Sequence, residues 1–301
     1  MTEKTKTESI LNATRRGVLK TGAAVGLAAP FVSRAWAQTT EINMLAWYGH
    51  GEADVVGEFE AEHDVKFNPK YYAGGDNMLA LIAQSPPGTY DVILSDAEFV
   101  QQLNAAGYIE EMDAADYPFD DMLHDDFTKF PGHWDGDTLH SVMVRFGHLG
   151  VSYNTTAISE DEARSYKSFW KPEVTGKVGH FDWHLPNLGM MSLYNGNGAS
   201  LWDVDDEAWA KIQETTMSLR PQVGGFFDYG GTFNSLKNGE MLAMCGIGDW
   251  ITGVLEKDGA PVKSVVPDEG GIQFTESYSI GKGSEKADIV KTFIQYMLSP
   301  A

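Results

Sequence analysis

The sequence predicts an α/β protein of two lobes with a ligand cleft between them. Strand and helix patterns alternate in the first third of the chain, and the same alternation returns after Tyr153. An export-type leader precedes 264 further residues, which is enough chain for two lobes of ordinary size. In open sheets of this class, ligands lie beyond the carboxyl ends of the strands, so binding residues are expected there.

The N-terminus has the features of a removable secretory signal. Arg15 and Arg16 precede an apolar run at 21–32, which is shorter than the roughly 20 residues that span a bilayer. The small-residue pattern Ala-Trp-Ala follows at 35–37 and is typical of a cleavage site. These features predict a twin-arginine-type signal over 1–37 and a mature chain free in the periplasm. The alternative is a basic disordered tail.

The composition restricts the partners of the mature chain. Without residues 1–37, the 22 basic and 43 acidic residues fall to 16 and 41, a formal charge of −25. Such a surface repels nucleic acid and anionic lipid, so neither is expected as a partner. It would favour cationic ligands, but solvation in a salty habitat is the preferred explanation of the charge. A single cysteine, Cys245, allows no intramolecular disulfide.

The first lobe is predicted from three successive strand and helix pairs. Short apolar runs indicate buried strands, and helices are indicated where apolar residues share one face, as Val55, Val56 and Phe59 do. This order is typical of a parallel sheet with right-handed crossovers. The predicted strands cover 42–45, 65–72 and 90–94, and the predicted helices cover 52–62, 77–84 and 97–106.

The second lobe repeats the pattern after Tyr153. Its predicted strands cover 177–181 and 241–246, and its predicted helices cover 206–218 and 249–256. A last helix is predicted over 289–298. Two α/β units in one chain place a cleft between their strand ends.

Six short motifs, in this order, resemble a known family. The chain between Trp47 and Pro300 is similar to the family 1 extracellular solute-binding proteins, particularly the spermidine/putrescine-binding branch. Each motif is weak alone, and the resemblance depends on their common order behind an export signal. The motifs are YDVILS at 90–95, GYIE at 107–110, LGVSYN at 149–154, FWKPE at 169–173, GKV at 176–178 and VPDEGG at 266–271.

This resemblance implies a type II periplasmic-binding fold, in which two lobes joined by two crossing segments close on a ligand. It implies a monomeric binding component of an ABC importer, which delivers its solute to a permease in the inner membrane. Lobe 1 would comprise 38–146 plus 272–301, and lobe 2 would comprise 147–271. Members of the family usually continue beyond the last helix, so a fragment without the C-terminal part of the fold is expected.

Four candidate binding residues follow strands of the first lobe. Trp47 and Tyr48 come after the first strand, where aromatic faces can stack on an alkyl chain or an amine, each contributing about 0.5 to 2 kcal/mol. By the resemblance, Trp47 is the aromatic wall of the ligand site; a core position is the alternative. Asp96 and Glu98 follow the third strand, where the family has contact residues. Their alternative roles are an N-cap and a first-turn charge of the next helix.

Four more candidates follow strands of the second lobe. Asp182 and Trp183 come after the strand at 177–181, where the resemblance implies carboxylates that hold an ammonium group. A buried cation needs such a counter-charge. Asp249 and Trp250 follow the strand at 241–246, and the resemblance implies another aromatic there. Asp249 capping the next helix is the alternative.

The second crossing segment supplies the last three candidates. Alternation places Phe274, Glu276 and Tyr278 on one face of a strand. The resemblance implies that Phe274 and Glu276 are the aromatic and the acid that hold the amine. An exposed strand could also show this pattern by chance.

The ligand predicted from these residues is a polyamine or a related cationic amine. The rivals are a neutral or zwitterionic solute, and an anion, for which Arg145 and Lys282 are the nearest basic residues to the crossings. Enzyme signatures are missing from the sequence, and His133 and His140 lack metal spacing. No cofactor or metal is therefore expected. A twin-arginine-exported enzyme is the alternative from a different class.

Overall fold

The computed structural model describes residues 39–119 and 125–299, which form two five-stranded sheets, a short hairpin and the helices around them. The predicted signal at 1–37 lies outside the described residues. Within the described ranges, no helix is long and apolar enough to cross a membrane.

The first half of the chain builds most of the first sheet. Its helices are amphipathic, and α1 buries Val56 and Phe59 against the sheet, as the spacing predicts. The elements are β1 (Thr40–Ala46), α1 (Ala53–His63), β2 (Val65–Tyr71), α2 (Gly75–Ala83), β3 (Val92–Asp96), α3 (Ala97–Ala105), α4 (Asp125–Thr128), the hairpin β4 (Trp134–Asp135) and β5 (Thr138–Leu139), and β6 (Val142–Leu149).

The second sheet and the return to the first follow. Short 3₁₀ turns at Tyr166–Trp170 and Pro172–Val174 lie between the first helix and the second strand of this half. The elements are β7 (Val151–Asn154), α5 (Glu160–Ala163), β8 (Val178–Phe181), α6 (His184–Tyr194), α7 (Asp206–Ser218), β9 (Val223–Phe227), α8 (Tyr229–Lys237), β10 (Ala243–Cys245), α9 (Asp249–Lys257), β11 (Val262–Val265), β12 (Ile272–Ile280) and α10 (Ala287–Met297).

Both sheets are mixed, whereas the alternation of strands and helices predicted a parallel sheet. The first has the order β2-β1-β3-β12-β6, and β12 runs antiparallel to both of its neighbours. The second has the order β11-β7-β10-β8-β9, and β7 is the antiparallel strand. Antiparallel strands arise because β7 and β12 enter their sheets from the other lobe rather than through a helical crossover.

The chain passes between the sheets twice. The first passage is at Gly150, between β6 and β7, and the second is at 266–271, between β11 and β12. The two passages touch, because a Cβ atom on Gly150 would lie 2.2 Å from the Val265 carbonyl oxygen. This architecture is the predicted α/β fold with two crossing segments. The assignment of lobes to 38–146 plus 272–301 and to 147–271 stays a prediction.

Candidate functional site

A cavity of about 50 Å³ lies between the two sheets and continues into a wider cavity of about 310 Å³. Asp96, Leu149, Trp183 and Phe274 line both, so the two spaces form one cleft. The first sheet contributes residues at the ends of β1, β3 and β12, as expected from the position of ligands in open sheets. The remaining walls of the narrow cavity are Trp47, Phe181, Tyr229, 246–248, Trp250, Ile251 and Glu276.

Aromatic rings form a large part of the wall of the narrow cavity. The Trp47 ring centroid lies 5.2 Å from that of Trp183 and 6.2 Å from that of Tyr229. Tyr229 in turn lies 5.9 Å from Trp250, on α9. Trp47 and Trp183 come from different sheets, so the two halves of the chain meet in these rings. Such walls suit an alkyl chain or a cationic group.

Asp96 is a buried acid at the end of β3. Its Oδ2 accepts a hydrogen bond of 3.0 Å from Trp47 Nε1. Asp96 occupies the N-cap position of α3, yet its side chain makes no capping hydrogen bond, so the cap interpretation is wrong for this side chain. Burial and the nearby charges of Glu98 and Glu276 raise its pKa well above the usual value.

Glu276 lies beside Asp96 on the neighbouring strand but has very different partners. Arg145 donates from Nε to Oε2 at 2.5 Å and from Nη2 to Oε1 at 2.8 Å. His50 Nε2 lies 2.9 Å from Oε2. Burial opposes ionisation of Glu276, but the hydrogen bonds and charges of His50 and Arg145 outweigh it, so its pKa is lowered.

Strand register places these charges in a row. Asp96 on β3 pairs with Glu276 on β12, and Glu276 pairs with Arg145 on β6. Directly paired residues have Cβ atoms about 5 Å apart on one face of the sheet. Acid, acid and base therefore stand side by side at the edge of the cleft.

Three other predicted residues line the cleft or its edge. Glu98 lines the wider cavity beside Asp96. Its side chain is exposed to the cleft, yet the protein around it reduces hydration and raises its pKa. Trp250 lines the narrow cavity. Asp249 is the first residue of α9, whose N-cap is Gly248, and Asp249 Oδ2 lies 3.4 Å from His148 Nδ1.

The last three predicted residues are not among the walls of the cleft. Asp182 is exposed and lines neither of these two cavities; with Phe226 it lines a third one, which borders the narrow cavity at Phe181 and Trp183. Tyr48 is 39% exposed and packs on Tyr71 and Tyr229. Tyr278 is fully buried behind Glu276, and its hydroxyl lies 3.0 Å from His50 Nδ1.

Two partners of Glu276 were not predicted as such from the sequence. His50 lies between Glu276 and Tyr278 although it is more than 220 positions away in the chain. Arg145 is the basic residue of the apolar strand β6, and that isolated charge was the available signal. Neither partner could be assigned without the strand register.

Comparisons with known proteins agree with this architecture. The family profile of bacterial extracellular solute-binding proteins matches residues 54–301. Spermidine/putrescine-binding periplasmic protein 1 of Haemophilus influenzae is 24% identical over 263 residues, covering 85% of this chain and 70% of the relative. The Escherichia coli spermidine/putrescine-binding periplasmic protein is 24% identical over 262 residues, covering 84% and 71%.

Solved structures give the same fold at low identity. The Tp0655 lipoprotein of Treponema pallidum superposes with a TM-score of 0.73 at 17% identity, covering 86% of this chain and 81% of that one. The substrate-binding protein PotD of Streptococcus pneumoniae gives 0.69 at 17%, covering 87% and 78%. The relatives and the fold are those of solute-binding proteins and not of enzymes. The chain therefore belongs to the bacterial extracellular solute-binding proteins.

Proposed function

We propose that this chain captures a cationic amine, a polyamine or a related amino compound, in the cleft between its sheets and delivers it to a permease of the inner membrane. Two relatives carry spermidine and putrescine in their names. The observation that carries the proposal is a buried acid without a cation.

Asp96 is that acid. Within residues 39–119 and 125–299 it forms no ion pair, and its side-chain hydrogen bond comes from the neutral Trp47 indole. A buried carboxylate without a counter-charge is costly, and this cost appears as the raised pKa of Asp96. An ammonium group placed between Asp96 and Glu98 would relieve their mutual repulsion and stabilise both ionised carboxylates.

The aromatic walls support the same chemistry. The rings of Trp47 and Trp183 lie 5.2 Å apart and border the space in front of Asp96. Aromatic faces attract cations by roughly 0.5 to 2 kcal/mol each, most strongly where water is excluded. The same faces suit the methylene groups of an alkyl amine.

A neutral or zwitterionic solute is the second candidate. The observation that favours it is the compensation of Glu276 by Arg145 and His50, which leaves this acid without a need for a ligand cation. In that case the Trp183 and Trp250 rings would stack on the solute.

The test is isothermal titration with putrescine, spermidine and 4-aminobutan-1-ol, with 1,4-butanediol as the uncharged analogue. At least one amine is expected to bind, and the diol is not. Asp96→Asn keeps an oxygen that can accept from Trp47, but it removes the charge, so amine affinity should fall by about 30-fold or more, equivalent to about 2 kcal/mol.

Asp182→Asn is the matched control, because Asp182 is an exposed acid outside the cleft. It should change the affinity less than about threefold. Asp96→Asn is expected to melt no lower than the wild type at pH 7, because an acid with a raised folded-state pKa destabilises the ligand-free fold when ionised. Equal amine affinity in wild type and Asp96→Asn would contradict the proposal, as would tight binding of the diol.

The proposal extends to location and assembly. Arg15, Arg16 and the cleavage pattern at 35–37 support export by the twin-arginine route into the periplasm. We infer a monomer. The formal charge of −21 on the whole chain disfavours nucleic acid as a partner.

A further inference from the structure

The acid and the aromatic rings expected to hold an amine already surround a cation of this chain. The Arg145 guanidinium makes a bidentate pair with Glu276, through Nε and Nη2. Its central carbon lies 5.4 Å from the Trp250 ring and 5.8 Å from the Phe274 ring. A carboxylate and two rings are the elements of a cation-binding cage. The Arg145 side chain therefore occupies the position in this cage that a ligand cation would take.

Arg145 is held too firmly for a ligand to replace it at low cost. The two parallel hydrogen bonds fix the plane of the guanidinium, and the carboxylate is held from the other side by His50. Expelling Arg145 would leave Glu276 buried beside Asp96 with its principal counter-charge lost. Breaking a buried pair in this way is strongly unfavourable.

The remaining negative charge lies at one end of the cleft. Because Arg145 and His50 balance the charge of Glu276, Asp96 and Glu98 are the acids among the described lining residues that have no cationic partner in the cleft. The wider cavity continues from them along Leu185, Pro186 and Ile272. Those walls offer no second carboxylate for a second ammonium group.

A buried donor points to the rest of the ligand. Trp183 lines both cavities, and its indole Nε1 is buried and has no acceptor among the described residues; it lies beside Gly74, where an added Cβ atom would be 3.0 Å away. A hydroxyl or carbonyl oxygen can accept this hydrogen bond, whereas an ammonium group has no lone pair to offer.

We propose that Arg145 is a specificity-determining residue that takes the place of a second ligand cation, so that the cleft selects a ligand with one ammonium group and an uncharged, oxygen-bearing remainder over a diamine. This inference rests on the proposed binding of a cationic amine. A diamine would bring its second charge near Arg145 or into apolar walls, and both positions are unfavourable.

The test compares 4-aminobutan-1-ol with putrescine, two ligands of the same chain length that differ in one hydroxyl and one ammonium group. Isothermal titration should show the amino alcohol binding the wild type at least about tenfold more tightly. Arg145→Met keeps the aliphatic stem between the rings and frees Glu276. Putrescine affinity should then rise by about tenfold or more, with a smaller change for the amino alcohol.

Three further variants complete the design. Arg145→Lys keeps the positive charge and should retain the wild-type preference. Arg145→Met with Glu276→Gln removes both charges and should not gain putrescine affinity; it also serves if Arg145→Met alone fails to fold. Arg164→Met removes a half-exposed arginine near Glu160 and should leave both affinities unchanged.

The outcomes separate the two proposals. If no amine binds the wild type, the proposed function fails together with this inference. If amines bind but the wild type prefers putrescine, or if Arg145→Met and the double variant leave the preference unchanged, the role of Arg145 fails and the amine function stands.

Discussion

The pKa values of the two buried carboxylates in the cleft are determined by their neighbours rather than by the residue type. Asp96 and Glu276 are buried carboxylates on paired strands, yet the pKa of Asp96 is raised and that of Glu276 is lowered. The difference follows from the partners of the two acids: Glu276 pairs with the cation Arg145, whereas the side-chain partner of Asp96 among the described residues is the neutral indole of Trp47. Within that part of the chain, Asp96 lacks a cationic partner, whereas the charge of Glu276 is balanced by Arg145. This arrangement is expected of a site that binds a ligand with one positive charge.

A buried histidine away from the cleft makes the stability of the fold depend on pH. His133 is 2% exposed, its Nε2 has no partner among the described residues, and burial lowers its pKa to about 4. The unfolded chain takes up the proton near pH 6.5, whereas the folded chain resists it down to about pH 4. Its contribution to stability is therefore complete above pH 6.5 and is lost as the pH falls between these values.

The expected loss is up to about 3 kcal/mol on going from pH 7 to pH 4. Urea unfolding at several pH values should show that His133→Phe flattens this part of the profile. Replacing the exposed His184 with Gln should leave the profile unchanged. A His133→Phe profile as steep as that of the wild type would show that carboxylates alone cause the acid sensitivity.

At the scale of elements, the crossings decide how the sheets are joined. β6 continues into β7 through a single residue, Gly150, and the other crossing passes so close that no side chain fits there. Part of the YDVILS motif has an architectural function. Asp91 accepts hydrogen bonds from the Asn43 backbone at 2.8 Å and from Lys286 at 2.9 Å, and so ties β1 to the segment before α10.

The same Gly→Ala substitution should have opposite effects at the crossing and inside a helix. Gly150→Ala would place its Cβ 2.2 Å from the Val265 carbonyl oxygen, so the crossings must separate, and stability should fall by about 2 to 4 kcal/mol. Gly57→Ala, in the interior of α1 with no atom within 4 Å of its Cβ, should stabilise by up to about 1 kcal/mol. Urea unfolding measures both. If Gly150→Ala is tolerated as well as Gly57→Ala, the crossings are not in close contact.

At the scale of the whole molecule, the excess of acidic residues should affect the association rate of a ligand more than its dissociation rate. The chain has 43 acidic and 22 basic residues, and this field attracts cations over distances that salt shortens. The Debye length falls from about 30 Å at 0.01 M salt to about 8 Å at 0.15 M. Inside the cleft, contacts are short and are screened much less.

The association rate constant of an amine ligand should therefore fall by about threefold or more over this range of salt, while the dissociation rate constant changes less. Stopped-flow tryptophan fluorescence can follow both, because Trp47 and Trp183 line the cleft. An association rate that is independent of salt would mean that the acidic surface serves solvation and does not steer the ligand.

The sequence by itself determined the α/β class, the order of the elements in the first third of the chain and most of the strand ends that border the cleft. These features are local, since apolar periodicity and turn residues act within a few positions; the helix at 206–218 was predicted to the residue. Only the tertiary structure decided that Asp182 lies outside the cleft, that Asp96 does not cap its helix and that Arg145 and His50 compensate Glu276. Arg145 and Glu276 are 131 positions apart. Their contact depends on the register of two strands that enter one sheet from different crossings, and this register is a property of the packed molecule that no local pattern contains.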